Sequence, residues 1–281
     1  MTIDKICVCG AGTMGSGIAQ ALAQADFNIT LYELNPAVLQ KAEKQISKSL
    51  ASLVAKEKIT GEAGKQIFSR IQFTSELSAC KADLIIEAII ESYEAKIALF
   101  DQLAGVNDEN CIFATNTSSL SIGRIQAGLK MPRPVFGMHF FNPATIMKLV
   151  EVVTTNGHQT DMQEKLISLV KKTGKTPVRC SDSPGFIVNR VARPFYIEAL
   201  RLAEESGAKI EVIDELMESA GFKMGPFRLM DLIGNDVNYA VSCSVYEQLS
   251  KPERLKPSII QEQKVKAGKL GRKTGEGYYK Y

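Results

Sequence analysis

The chain has 281 residues, 45% of them hydrophobic, with 34 Lys and Arg against 31 Asp and Glu for a formal net charge of +3. That length accommodates two domains with a sizeable core, and so mild and dispersed a positive charge offers no basic stripe for nucleic acid. No apolar run is long enough for a membrane span, and the amino terminus enters a strand at once, without the basic, apolar and small-residue segments of a leader, so a cytoplasmic location is expected. Six cysteines, at 7, 9, 80, 111, 180 and 243, lack CxxC spacing and sit mostly among apolar neighbours, the setting of reduced, buried thiols; no metal site is expected.

In chain order, "KICVCG" reads as an apolar strand, "TMGSGIAQALAQA" as a helix, "NITLYE" as a second strand and "AVLQKAEKQISKSLASLVAKEKI" as a long amphipathic helix with its lysines on the wet side. Further strands are predicted at "IQFT", "ADLIIEAI", "CIFATN", "PVFGMHFF" and "KLVEVV", with a helix at "EAKIALFDQLAGV". Strand-helix alternation of this kind covers both faces of a mostly parallel sheet. After "KTPVRCSDSPG" only helical spacing remains, in "FIVNRVARPFYIEALRLAEES", "IEVIDELMESA", "FRLMDLIGNDVNYAVSCSVYEQL" and "SIIQEQKVKAGK". The expected architecture is therefore α/β, a helix-covered sheet over residues 1–183 followed by an all-α domain over 184–281; the turn "GAGTMG" after the first strand and Glu33 at the end of the second make the first a Rossmann-type dinucleotide-binding domain. A helical tail of that size, rich in Met, Phe and Tyr, suits packing against a second copy of itself.

"GAGTMG", Gly10 to Gly15, lies between the first strand and the first helix. Glycines there permit a tight turn and close approach of a pyrophosphate, while the helix amino terminus presents unpaired N–H groups to the anion. Glu33 ends the second strand about twenty residues on, where an acidic side chain accepts hydrogen bonds from an adenosine ribose. Its carboxylate repels a ribose 2′-phosphate, and Leu34 and Asn35 supply no cation to hold one, which favours NAD over NADP. "GKT" at 174–176 lacks the earlier glycine of a phosphate loop, since Leu169 stands there.

Only two histidines exist. His158 falls in the polar stretch "TTNGHQT" and reads as a surface residue. His139 interrupts the apolar run "VFGMHFF", and Glu151 interrupts "KLVEVV". Each is costly to bury alone, so each wants a partner. With a turn between the two strands they can face one another, the carboxylate holding one ring nitrogen and the other exchanging a proton with a substrate. A His–Glu bond buried for packing alone remains the alternative; beside a dinucleotide fold, hydride transfer from an alcohol needs such a base. "FATNTSSL" follows an apolar strand, which puts Asn116 to Ser119 at a carboxyl end, where open α/β sheets bind ligands; capping is the plainer role for Ser118.

Taken together and in order, "GAGTMGSGIAQ", "EAIIE", "NTSSL", "GMHFFNP", "MKLVEVV", "DSPGFIVNR", "MGPF" and "GRKTGEGYYKY" resemble the 3-hydroxyacyl-CoA dehydrogenase family over practically the whole chain. The resemblance implies reversible, NAD-dependent oxidation of (S)-3-hydroxyacyl-CoA to 3-oxoacyl-CoA by a homodimer joined through its carboxyl-terminal helices. It makes His139 the general acid/base, Glu151 its partner, and Ser118 and Asn189 polar contacts to the substrate near its reacting oxygens. Cofactor contacts implied are Gly10, Gly12, Met14, Gly15, Glu33, Glu91, Lys96, Asn116, Asn142 and Lys273, although Lys96 and Lys273 read equally as solvated charges. Ser52 and Lys56, on the long helix, match contacts to coenzyme A. Many relatives have Asp where this chain has Glu33. The favoured substrate is 3-hydroxybutyryl-CoA, in fatty acid or butanoate metabolism; 3-hydroxyadipyl-CoA, in the degradation of aromatic compounds, is the alternative. A non-catalytic NAD-binding protein is the rival of another class, and it predicts damage at His139, Glu151, Ser118 or Asn189, where the sequence is intact.

Overall fold

The computed structural model describes residues 3–155 and 161–281; His158 lies outside them. The chain forms two compact units, Met1–Asp182 and Ser183–Tyr281.

The first unit is built on one eight-stranded sheet in the order β3-β2-β1-β4-β5-β6-β7-β8. Its strands are β1 (Lys5–Cys9), β2 (Asn28–Tyr32), β3 (Ile71–Thr74), β4 (Leu84–Glu87), β5 (Ile112–Thr115), β6 (Val135–Phe140), β7 (Leu149–Thr154) and β8 (Thr176–Ser181). All neighbours pair parallel except β6 and β7, which run antiparallel. The helices are α1 (Thr13–Ala23), α2 (Pro36–Ala55), α3 (Gly61–Ser69), α4 (Tyr93–Ala104), α5 (Ile122–Ala127) and α6 (Asp161–Lys172). Residues of β1, β2 and β4 such as Val8, Leu31 and Ile86 are wholly buried and share a core with Ile18 and Leu22 of α1 and Ile46 of α2, as expected of strands covered on both faces.

Several features of this unit depart from the sequence reading, which named neither α5 nor α6. The strand β8 was not expected, because its polar and half-exposed residues, Pro177 and Arg179 among them, lack an apolar pattern; it is an edge strand bonded to β7 on one side, where a proline is tolerated. The long second helix stops at Ala55, where Lys56 caps it and Glu57 turns to φ +55°. A separate helix, α3, then starts behind Thr60, whose Oγ1 accepts the Ala63 N–H at 3.1 Å.

The second unit is helical: α7 (Val188–Ser206), α8 (Ile210–Ser219), α9 (Pro226–Ile233), α10 (Asn235–Gln248) and α11 (Ile259–Lys266). What reads as one long helix from 227 to 249 is two, broken at Gly234, whose φ of +104° only glycine adopts at little cost. Tyr196, Leu200, Ile213, Phe227 and Met230 form its main core. Asp214 is fully buried there and accepts the N–H groups of Phe227 and Arg228, both at 2.9 Å, so its charge is bonded at the start of α9.

Candidate active site

The carboxyl ends of the central strands bear the glycine loop, the segment that begins at Asn116, and His139. Cys9, Glu87, Thr115 and Gly137 stand in one register across β1, β4, β5 and β6; β1, β4 and β5 end at that row, and β6 runs on through His139 to Phe140. This is the edge at which open α/β sheets bind nucleotides.

On β1 the loop Gly10–Gly12 leads directly into α1. Gly10 has φ +99°, and a Cβ on Gly15 would fall on the Gly10 carbonyl oxygen, so both glycines are required by the backbone itself. Gly12 differs: a Cβ there meets nothing within 4 Å. It caps α1 without any side-chain bond, and the helix amino terminus therefore opens onto unfilled space. That cradle fits a pyrophosphate. Glu33 is already poised beside it, its Oε2 accepting the Ala11 N–H at 3.0 Å and its Oε1 the Asn35 N–H at 3.0 Å. A carboxylate so held keeps further lone pairs for a ribose diol, and the residues present fit NAD. Met14 lies in the first turn of α1.

His139 and Glu151 are directly opposed residues of the antiparallel pair. His139 Nδ1 lies 2.7 Å from Glu151 Oε2, and the two residues are 4% and 0% exposed. The Phe141 ring packs on the imidazole with centroids 4.4 Å apart. A carboxylate buried this deeply and bonded to Nδ1 fixes the orientation of the ring. Asn142 follows Phe141 and is joined to Pro143 by a cis bond.

Between the cradle and the histidine runs the segment Asn116–Gly123. Asn116 donates its N–H to the Glu87 carbonyl at 2.7 Å, and its side-chain oxygen accepts the Phe140 N–H at 2.8 Å. Glu91 Oε1 accepts the Thr117 hydroxyl at 2.5 Å and the Ser118 N–H at 3.0 Å. Asp182 receives the Ser121 hydroxyl and the N–H groups of Ile122 and Gly123 at the start of α5. Burial alone would push the Glu91 carboxyl up, but the Lys96 charge and the bonds from Thr117 and Ser118 outweigh it and hold it below the ordinary value.

Lys96 is not the solvated lysine that the sequence reading offered as one alternative. It is 1% exposed, and its ammonium lies 2.6 Å from Glu87 and 3.2 Å from Glu91. The side chain stands behind Glu91. Glu87 itself, fully buried, was not singled out; the only hint was a carboxylate ending the apolar strand "ADLIIE" nine residues before a lysine. Ser52 and Lys56 are exposed on and just after the last turn of α2, which leaves them accessible to a charged ligand.

In the helical unit, Asn189 occupies the first turn of α7, and its carbonyl accepts Arg193 Nε at 2.9 Å. Lys273 is paired with Asp236 at 2.6 Å. Among the described residues, no cluster of three or more His, Cys, Asp or Glu side chains is arranged to hold a metal ion, and no helix is long and apolar enough to cross a membrane.

Residues 5–183 match the model of the 3-hydroxyacyl-CoA dehydrogenase NAD binding domain, and residues 185–281 that of the 3-hydroxyacyl-CoA dehydrogenase C-terminal domain. The chain is 46% identical over 281 residues to the 3-hydroxyadipyl-CoA dehydrogenase of Escherichia coli (strain K12), an alignment covering 99% of this chain and 59% of that longer protein. It is 39% identical to the probable 3-hydroxybutyryl-CoA dehydrogenase of Bacillus subtilis (strain 168), covering 100% of this chain and 98% of that one. Among solved structures, the (S)-3-hydroxybutyryl-CoA dehydrogenase of Ralstonia eutropha superposes with a TM-score of 0.93 at 37% identity, over 100% of this chain and 99% of that one.

Proposed function

The chain belongs to the 3-hydroxyacyl-CoA dehydrogenase family, and from that membership and the site geometry we propose that it is an NAD-dependent (S)-3-hydroxyacyl-CoA dehydrogenase, interconverting the 3-hydroxyacyl and 3-oxoacyl thioesters. The observation that carries the chemistry is the buried His139–Glu151 pair, 2.7 Å apart on adjacent strands of a dinucleotide-binding sheet. A packing role alone does not call for a titratable pair at the nucleotide edge of the sheet.

Gly10, Gly12, Met14, Gly15 and Glu33 hold the adenosine half and pyrophosphate of the cofactor, with Glu91, Lys96, Asn116, Asn142 and Lys273 assigned to its remainder. When bound, NAD supplies the hydride acceptor. His139 takes the proton of the 3-hydroxyl through Nε2 as the carbonyl forms, and returns it in the reverse direction, while Glu151 stabilises the imidazolium in between. Ser118 and Asn189 hydrogen-bond the substrate beside its reacting oxygens, and Ser52 and Lys56 meet the coenzyme A portion, where a lysine suits a phosphate.

The acyl group is proposed to be 3-hydroxybutyryl, on the strength of the similar Bacillus and Ralstonia proteins. The similarity to the E. coli protein favours 3-hydroxyadipyl as the second reading. We assign the chain to a homodimer through the helical unit, where Val191, Leu216, Phe222 and Val237 are exposed in a pattern that suits a partner. A cytoplasmic location is supported by six free cysteines, four of them buried.

The test is reduced-nicotinamide absorbance with purified protein, acetoacetyl-CoA and NADH, then NADPH, followed by acyl chains ending in methyl or carboxylate. Turnover with NADH and little with NADPH is expected. No turnover of any 3-oxoacyl-CoA would remove the proposal, and sedimentation as a monomer would remove the dimer.

A further inference from the structure

We propose that Glu87, buried at the carboxyl end of β4, is a positioning residue for Ser118, acting through Lys96 and Glu91 without touching any ligand. The inference rests on the reading of Ser118 as a substrate contact.

Every oxygen of Glu87 is committed inside the protein. Oε1 accepts the Lys96 ammonium at 2.6 Å and the Ile89 N–H at 2.7 Å, and Oε2 accepts the Thr115 hydroxyl at 2.6 Å. Lys96 in turn reaches Glu91 Oε2 at 3.2 Å. The other oxygen of Glu91 receives the Thr117 hydroxyl and the Ser118 N–H, at 2.5 and 3.0 Å, with the Ser119 hydroxyl at 3.4 Å. One cation thus lies between a wholly buried carboxylate and a side chain that is 40% exposed, and the second carboxylate grips the loop.

The loop has no regular ladder to shape it, so side chains do so. Thr115 Oγ1 accepts the Thr117 N–H at 3.2 Å, and Thr117 Oγ1 accepts the N–H groups of Ser119 and Leu120 at 3.3 and 2.9 Å. Thr115 is itself tied to Glu87, so Glu87 reaches the loop by two routes: through the ion pair to Ser118 N, and through Thr115 to Thr117 N. A buried ion pair adds little net stability compared with apolar packing of the same volume. Its consequence here is geometric, because removing the Glu87 charge leaves Lys96 buried with only the half-exposed Glu91 to answer it. Lys96 then draws Glu91 away from the Ser118 N–H or loses its own place, and in either case Ser118 shifts.

The experiment uses the full chain carrying Glu87→Gln. Backbone amide hydrogen exchange, read without substrate, is expected to rise over 117–121, with exchange in β1 unmoved. Acyl-CoA turnover, read at saturating NADH because Glu91 is also assigned to the cofactor, is expected to fall about 10- to 100-fold, the range for misplacing a positioned group by roughly 1 Å, with KM for acyl-CoA raised. In a Ser118→Ala background Glu87→Gln should cost nothing further, since both act on one contact. Unchanged loop exchange, or an equal added loss in the Ser118→Ala background, overturns the proposal. Should Glu87→Gln fail to fold, Thr115→Val removes only one hydroxyl from Glu87 and is held to the same exchange and turnover readouts. A parent protein inactive on every 3-oxoacyl-CoA removes the activity reading and this inference together, whereas an active parent with unmoved exchange removes the inference alone.

Discussion

Asn116 accepts the backbone N–H of Phe140 through its side-chain oxygen at 2.8 Å, so the loop bearing Ser118 is fastened to the strand bearing His139 one residue from the imidazole. The bond is buried, Asn116 being 9% exposed. Asn116→Ala leaves that N–H without its acceptor, which costs about 1–3 kcal/mol. The expected outcome is a lower denaturant midpoint with unchanged slope, together with reduced turnover. A midpoint equal to the parent's would show that the bond does not join the two elements.

For His139 and Glu151 the two truncations should differ in kind. His139→Gln removes the proton-exchanging nitrogen and should lower turnover about 100- to 10,000-fold, the usual contribution of a general acid/base, with NADH binding nearly retained. Glu151→Ala strands a buried imidazole opposite a cavity, and breaking a buried pair from one side costs about 3–5 kcal/mol. It should therefore depress Tm as well as turnover. Unchanged turnover in His139→Gln would take that residue out of its assigned role.

How much of this was legible in the sequence follows from the kind of signal each element leaves. The strands β1, β4, β6 and β7 are largely buried on both faces and read as apolar runs, and a lone His in β6 and a lone Glu in β7 announce that they need each other. The edge strand β8 and the short helix α3 leave no such mark, one because solvent tolerates its polar residues, the other because its two glycines dilute the helical pattern. The break at Gly234 was hidden because glycine is tolerated in helices as well as in turns. The burial of Lys96 was not legible, since lysine is by default exposed; it depends on Glu87 and Glu91, which the fold brings to it.

Glu33 should decide cofactor choice. Its carboxylate is oriented by the Ala11 and Asn35 N–H groups, so Glu33→Ala removes both the ribose acceptor and the group that repels a 2′-phosphate. Hydrogen bonds to a charged group contribute about 1.5–3 kcal/mol, which corresponds to a rise of about 10- to 150-fold in the NADH dissociation constant. The NADPH constant should change less, narrowing the preference. Fluorescence titration with both nucleotides checks this, and equal weakening of the two would show that Glu33 does not discriminate.

Acid should loosen the Ser118 loop through Glu91. Burial works against its ionisation, yet the Lys96 charge and the donors of Thr117 and Ser118 hold its folded-state value below the ordinary 4.5. A depressed carboxylate contributes stability that is fully present above its unfolded value and disappears as pH falls through the lower folded value. The parent should therefore be more stable than Glu91→Gln near neutrality, and the gap should begin to close below about pH 4.5 as the parent's carboxylate gains its proton. Thermal unfolding of the two proteins across that range measures it. A gap that stays constant into acid would mean that the Glu91 charge contributes nothing to holding the loop, and would leave the hydrogen-bonding shape of the side chain as the sole reason for the bonds it makes to Thr117 and Ser118.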